Sequence, residues 1–290
     1  MAKIVGIHGI AQQYRGSYQL TDVWFSALRD GLAAAGHDEA ARALSAADVK
    51  VAFFGDLFRP PGTMAATDPP YTAADILPGP EQDLLTALYD AAVDHDPALG
   101  APEGAMGAGM ATVQFMLSRL ARSKTFAKVA QRAFIGDLKQ VVAFLNDTTV
   151  KDRVLARVRE QIGPDSQVVV GHSLGSVVSY EYLCRERPGQ VRLLVTVGSP
   201  LGIRNVVFDK LTPAPASGAG AWPGTVATWV NVADLDDIVA LRKDLAPLFP
   251  GGTPALKVTD RLVDNGDEPH AIDRYLNSRQ TGSALGDALA

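Results

Sequence analysis

The chain has little of what several protein classes require. Its single cysteine, Cys184, excludes a disulfide within the chain, and no Cys/His pattern indicates a zinc site. A net charge of −5, without interleaved basic and aromatic clusters, gives no reason to expect nucleic acid as a partner. No stretch is long and apolar enough to predict a membrane span, and no signal peptide is recognised at the start. These features favour a soluble cytoplasmic protein.

What the chain does have is enough apolar sequence for one enzyme-sized core, with 47% hydrophobic residues among 290. Strand-like and helix-like runs alternate, which predicts an α/β fold, a single domain over residues 1–290 with a mostly parallel sheet covered by helices on both faces. The predicted strands are Lys3–Ile7, Val49–Phe54, Gln167–Val170, Val191–Val197, Val226–Val232 and a stretch near Ala255–Leu262.

Residues 60–134 break this alternation and are too long for a plain connection. Proline-rich punctuation is followed by helical patterns near Glu81–Val93 and Ala108–Arg122. We interpret the segment as an inserted helical cap over the active site. At the other end, the tail after Arg279 has no clear periodicity, and we expect it to fray.

The most informative stretch is Gly171-His172-Ser173-Leu174-Gly175, which lies between the apolar run Val168–Val170 and a helix-like run. A Gly-x-Ser-x-Gly turn between a buried strand and a helix is typical of a nucleophile elbow, in which a sharp turn lifts the serine clear of the sheet. Ser173 is therefore the candidate nucleophile. The alternative is a serine that merely caps the helix.

A serine nucleophile needs a general base, and the base needs an orienting acid. In this type of turn the partners follow the serine in the order acid, then histidine. Of the five histidines only His270 lies downstream of Ser173. His172 directly precedes the serine, and we expect its side chain to point elsewhere. We prefer Asp237 as the acid, with Asp234 as the alternative and Asp236 as a third candidate. Three aspartates match no calcium loop that we can defend.

Two main-chain N–H groups are needed to stabilise the developing oxyanion. We assign them to Leu174, which follows the nucleophile, and to Ile10, in the turn His8-Gly9-Ile10-Ala11 after the first strand. His8 either shapes this turn or is a packed histidine at a strand end. In the insertion, Met106, Met110 and Phe115 are candidate substrate-binding residues, because an adaptable apolar surface suits an acyl chain. An ordinary buried helix is the alternative.

Together, Ile7-His8-Gly9-Ile10, the Ser173 pentapeptide, Gly198-Ser199-Pro200-Leu201-Gly202, Asp237-Ile238-Val239 and Pro269-His270 resemble the α/β-hydrolase superfamily, most closely its bacterial lipase- or esterase-like members. The resemblance covers roughly residues 3–58 and 138–276, and the first two strands of the family sheet look absent. It implies a Ser173–His270–Asp237 triad, acyl-enzyme chemistry and no cofactor; we predict no metal.

The sequence thus predicts a serine hydrolase that cleaves a carboxylic ester and whose partner is a small-molecule ester or acyl substrate. A thioesterase or an acyltransferase would use the same triad, and a peptidase is a less favoured alternative. A non-catalytic binding member of the fold is the alternative from another class. Action at a membrane surface is a further option, which nothing in the sequence supports.

Overall fold

A computed structural model describes residues 2–59, 71–100, 110–123, 125–126, 131–253 and 255–289. One six-stranded sheet, in the order β2-β1-β3-β4-β5-β6, has all its neighbouring strands parallel, which confirms the predicted parallel α/β sheet. Its strands are β1 (Ile4–Ile7), β2 (Val49–Ala52), β3 (Val168–His172), β4 (Leu193–Val197), β5 (Thr228–Asp234) and β6 (Val258–Val263).

Helices cover both faces of the sheet, as predicted. In the described residues they are α1 (Ser17–Ala34), α2 (Asp38–Ala43), α3 (Pro80–His95), α4 (Met110–Leu120), α5 (Gln131–Asn146), α6 (Thr148–Arg159), α7 (Leu174–Glu186), α8 (Ile272–Leu276) and α9 (Arg279–Leu289). One apolar cluster joins the sheet to α1, α2, α8 and α9, and the other joins it to α3 through α7.

Alternation along β3 shows why its sequence is continuously apolar. Val168 and Val170 belong to the cluster under α1, whereas Val169 belongs to the cluster on the opposite face. All three side chains are fully buried. A strand with both faces covered has no solvent side, so every position favours an apolar residue.

The two helices expected within the insertion are present as α3 and α4. They pack against each other, and Leu85 of α3 and Leu117 of α4 are buried in the same cluster as Phe144 of α5. The described part of the insertion is therefore continuous with the main core. Its role as a cap stays a prediction.

The expectation of a fraying tail was wrong. Residues 279–289 form α9, which packs along α1. Gly282 lies directly against the backbone of Gly31, and Leu285 is fully buried. Small residues let the two helix backbones approach closely, so the helix is held by contacts that a search for large apolar residues overlooks.

The strand order creates a switch point between β1 and β3. From this pair the sheet extends to β2 on one side and to β4 on the other. In open parallel sheets, ligands bind in the crevice outside the carboxyl ends of the strands at such a point. The turn after β1 and the turn after β3 meet there. Among the described residues, no helix is long and apolar enough to cross a membrane.

Candidate active site

Ser173 occupies the turn between β3 and α7 in a strained backbone conformation. Its φ is 53° and its ψ is −128°, a backbone conformation that residues other than glycine rarely adopt. Its side chain makes no hydrogen bond to the start of α7, so it does not cap the helix. Its main-chain N–H donates to the carbonyl oxygen of Val197 at 3.1 Å, which ties the turn to β4. The serine therefore keeps a strained backbone conformation although its side chain does not cap the helix.

The glycines on either side permit this turn. A Cβ on Gly171 would lie 2.6 Å from the carbonyl oxygen of Gly175, and a Cβ on Gly175 would lie 2.6 Å from the carbonyl oxygen of His8. Real Cβ atoms almost never approach backbone atoms this closely. Only glycine at both places lets α7 start directly above the ends of β1 and β3.

His270 and Asp237 form a direct pair. The Nδ1 atom of His270 lies 2.7 Å from Oδ2 of Asp237, and Asp237 is fully buried. When the neutral ring donates its Nδ1 proton to the carboxylate, Nε2 is left with a lone pair. Nε2 is buried and has no hydrogen-bond partner among the described residues. In this tautomer Nε2 of His270 can accept a proton.

Four groups stabilise the Asp237 carboxylate. Oδ2 accepts from His270 and from the hydroxyl of Tyr275, and Oδ1 accepts from the main-chain N–H groups of Val239 and Ala240, at 3.0 and 3.4 Å. Burial by itself would raise the pKa of Asp237, but the adjacent His270 and these side-chain hydrogen bonds bring it below its ordinary value. The acid stays ionised beside the histidine.

The other two aspartates have different partners. Asp234 accepts hydrogen bonds from the main-chain N–H groups of Asp236 and Asn265, and Asp236 lies 2.9 Å from Nε2 of His95. The structure therefore brings Asp237, the preferred candidate, to His270. Asp234 and Asp236 instead organise the loop that carries it.

His172 contradicts the expectation that its side chain points elsewhere. Its ring lies against that of His270, with the centroids 4.7 Å apart, and its Nε2 donates to the carbonyl oxygen of His270 at 3.1 Å. Burial, followed by the neighbouring His270, lowers the pKa of His172 to about 3. A neutral His172 thus fixes the main chain of His270, a contact between residues 98 positions apart that no local pattern signals.

The first turn places Ile10 beside Ser173. Ile10 and Leu174 line the same cavity as Ser173, and Leu174 is the first residue of α7, so its N–H has no acceptor within the helix. Buried His8 accepts from the N–H of Phe54 and donates to the carbonyl oxygen of Gly9. Burial lowers its pKa to about 4, and its ring stacks on Phe54. His8 thus shapes the turn that precedes Ile10.

Ser173 and His270 both line a cavity of about 430 Å³. Most of its wall is apolar. Helices α3 and α5 and the segment before α5 supply part of it, and the loops after β1, β4 and β5 supply much of the rest. The principal apolar side chains are Leu84, Leu88, Phe126, Phe134, Leu138 and Val141. The volume and the apolar lining are typical of a small-molecule site.

Of the predicted substrate-binding residues, the structure describes the side chain of Phe115 alone. Phe115 is half-buried, with its ring 6.1 Å from that of Tyr89 and the guanidinium of Arg119 at 5.0 Å, and it does not line the cavity. The described apolar wall includes side chains of α3 and α5 and none of α4, so this cavity does not confirm the assignment of Phe115. Met106 and the side chain of Met110 lie outside the described residues.

Sequence reasoning missed three other residues at the site: Tyr275, Gln12 and Asp137. Tyr275 contacts the acid, and burial raises its pKa far above the usual value, so its hydroxyl stays a donor. Gln12 and Asp137 line the cavity. Only Asp137 carries a sequence signal, since it interrupts the apolar stripe of Leu138 and Val141.

The described residues include no group of three or more His, Cys, Asp or Glu side chains arranged to hold a metal ion. Comparison of the chain with family models, with curated proteins and with solved structures gave no match. The functional interpretation therefore depends on the geometry of the chain itself.

Proposed function

We propose that this chain is a serine hydrolase of the α/β-hydrolase fold that cleaves carboxylic esters through an acyl-enzyme intermediate. The observation that carries the proposal is that a strained, uncapped Ser173 lines the same cavity as His270, whose Nδ1 contacts the buried Asp237. Nucleophile, base and orienting acid come from three separate loops at one edge of the sheet. A serine, a histidine base and an acid that orients the histidine are the groups that acyl transfer by serine uses.

The fold supports the proposal independently of the triad. The nucleophile follows the strand next to β1 at the switch point, and the acid and the histidine follow β5 and β6. The chain order serine, aspartate, histidine is that of α/β-hydrolases.

In the mechanism, Oγ of Ser173 attacks the ester carbonyl carbon while Nε2 of His270 takes the hydroxyl proton. The N–H groups of Ile10 and Leu174 stabilise the oxyanion of the tetrahedral intermediate. The intermediate collapses, the bond to the alcohol oxygen breaks, and His270 returns the proton to the departing alcohol. A water molecule then attacks the acyl-enzyme, gives its proton to His270 and releases the carboxylic acid, and Ser173 regains its proton.

The apolar wall favours an ester with a hydrocarbon acyl group. Leu84, Leu88, Leu138 and Val141 present aliphatic surface beside the nucleophile. Removing such surface from water contributes about 25 cal/mol per Å² of buried apolar area. A thioester would present the same acyl group, so the acyl chain and not the leaving group is what this cavity selects.

The test is hydrolysis of p-nitrophenyl esters from acetate to palmitate by the wild type, Ser173→Ala and His270→Ala. We expect each variant to lose roughly 10³-fold or more in kcat, and the double variant to lose little more, because the residues act as one unit. Ser118→Ala, on an exposed face of α4, is the matched control and should keep its activity.

A fluorophosphonate probe tests the nucleophile without any assumption about the substrate. Labelling followed by mass spectrometry should place the adduct on Ser173 and should disappear in Ser173→Ala. Folded wild-type protein that neither reacts with the probe nor hydrolyses any ester or thioester would refute the proposed activity and favour a binding role.

A further inference from the structure

Helix α5 presents a mixed face to the cavity. The residues that line it are Phe134, Asp137, Leu138 and Val141, at the spacing of one helical face. Three are apolar and the fourth is an acid that is only 6% exposed. Its carboxyl group therefore offers a hydrogen-bond acceptor at the wall of the cavity.

Gln12 adds a second acceptor to the same cavity. Its Nε2 donates to the carbonyl oxygen of Ile10 at 3.2 Å, which fixes the orientation of the amide. Its Oε1 is buried and has no hydrogen-bond partner among the described residues. A buried amide oxygen without a donor is costly, and a ligand that supplies the donor removes that cost.

We infer that the cavity takes an ester whose acyl chain carries a hydroxyl group, which donates a hydrogen bond to Asp137 or Gln12. The inference rests on the proposed function and names its substrate class. Asp137 shares its wall with Leu138 and Val141, so the polar contact lies within the apolar part of the cavity and not apart from it. A site built around such a contact discriminates strongly against the analogue that lacks the hydroxyl.

Binding to Ser173→Ala tests the inference without turnover. Calorimetry would compare methyl decanoate with methyl hydroxydecanoates that carry the hydroxyl near the carbonyl, midway along the chain or at its end. We expect at least one hydroxylated ester to bind about tenfold tighter than methyl decanoate, as one additional buried hydrogen bond allows. Equal dissociation constants for all four esters would overturn the inference.

Substitutions then identify the acceptor. Asp137→Leu and Gln12→Leu are each added to Ser173→Ala, and the dissociation constant of methyl decanoate is divided by that of the preferred hydroxy ester. The ratio should fall close to one in the variant that removes the acceptor. The matched control is Asp83→Leu, which removes an exposed acid from α3 and should leave the ratio intact. A preference that survives in both Asp137→Leu and Gln12→Leu would contradict the assignment.

Binding of an amino-substituted ester shows whether the cavity prefers a hydroxyl group or a cationic ammonium group on the substrate. Asp137→Asn keeps an acceptor oxygen but loses the charge, so a hydroxyl preference should persist and an ammonium preference should vanish. If the amino ester binds more tightly than every hydroxy ester and Asp137→Asn abolishes this, the substrate is cationic and the hydroxyl inference fails. Fluorophosphonate labelling of Ser173 reports separately on the proposed activity.

Discussion

Tyr275 donates a hydrogen bond to the same carboxylate oxygen of Asp237 that His270 contacts, and both distances are 2.7 Å. The tyrosine hydroxyl also accepts the main-chain N–H of Asp234, at 3.0 Å. One buried hydroxyl thereby joins the end of β5 to a carboxylate three residues later in the chain. Tyr275 holds Asp237 in position through this hydrogen bond. Neither hydrogen bond of its hydroxyl involves Ser173.

Tyr275→Phe should therefore weaken both activity and stability. We expect the free energy of unfolding to fall by about 1–3 kcal/mol, because the buried N–H of Asp234 loses its acceptor, and kcat to fall about tenfold as the carboxylate loses a donor. Denaturant unfolding and ester hydrolysis measure the two effects. Tyr180→Phe, which loses a hydrogen bond to Ala221 beside β5, should lower stability and leave kcat near the wild-type value. Equal losses of kcat in the two variants would mean that Tyr275 has only a structural role.

Substitution of Asp237 and of Asp234 tests which of the two aspartates is the acid that orients His270. Asp237→Asn should lower kcat by about 10³- to 10⁴-fold, since the amide no longer holds His270 in the tautomer that leaves Nε2 free. Asp234→Asn should lower stability by about 1–3 kcal/mol, because Asp234 accepts two main-chain N–H groups, with kcat reduced by less than about tenfold. The reverse order of the two kcat values would assign the acid to Asp234.

Gly9 sets the distance between the first turn and the nucleophile. A Cβ on Gly9 would lie 2.7 Å from Cβ of Ser173 and 3.1 Å from the carbonyl oxygen of His172, and Ser173 is already strained. Gly9→Ala should therefore displace the serine and lower kcat by about 10²-fold, which is what a misplacement of about 1 Å costs. Gly16→Ala adds its Cβ in open space and serves as the control. A wild-type kcat in Gly9→Ala would show that the two turns are not in contact as described.

Local pattern was sufficient for the framework of this site. The apolar run Val168–Val170 and the following glycines predicted a strand, a turn at Ser173 and a helix, and the structure has β3 ending at His172 and α7 starting at Leu174. Elimination among five histidines predicted the partner of Asp237. These features depend on neighbours in sequence or on chain order, which a sequence displays directly.

The residues that sequence reasoning missed depend on long-range packing. His172 reaches the carbonyl oxygen of His270, and Gln12 faces a cavity whose wall comes from α5. Helix α9 was missed for another reason: its contact with α1 uses Gly282, a residue that adds no apolar signal to a helical pattern. Neither type of contact produces a periodic pattern of apolar residues in the sequence, so it becomes visible only in the folded chain.

Stability should depend on pH through buried His8. Its pKa is about 4 in the folded chain and about 6.5 when unfolded, so between these values the unfolded state binds a proton that the folded state does not. Stability due to this group is therefore complete above pH 6.5 and declines as the pH falls, by at most about 1.4 kcal/mol per pH unit. His172, with its folded pKa of about 3, acts in the same direction.

Urea unfolding at pH 7.5, 6.0 and 5.0 measures this dependence above the range in which carboxylates dominate. His8→Asn should be less stable at pH 7.5, because Phe54 N–H and the carbonyl of Gly9 lose well-placed partners, yet its stability should fall less steeply with pH than that of the wild type. Ile7→Val, at the end of the strand that precedes His8, should cost about 1 kcal/mol and retain the wild-type slope. A slope in His8→Asn as steep as in Ile7→Val would mean that His8 is protonated in the folded chain, and its hydrogen bond from Phe54 could not then form.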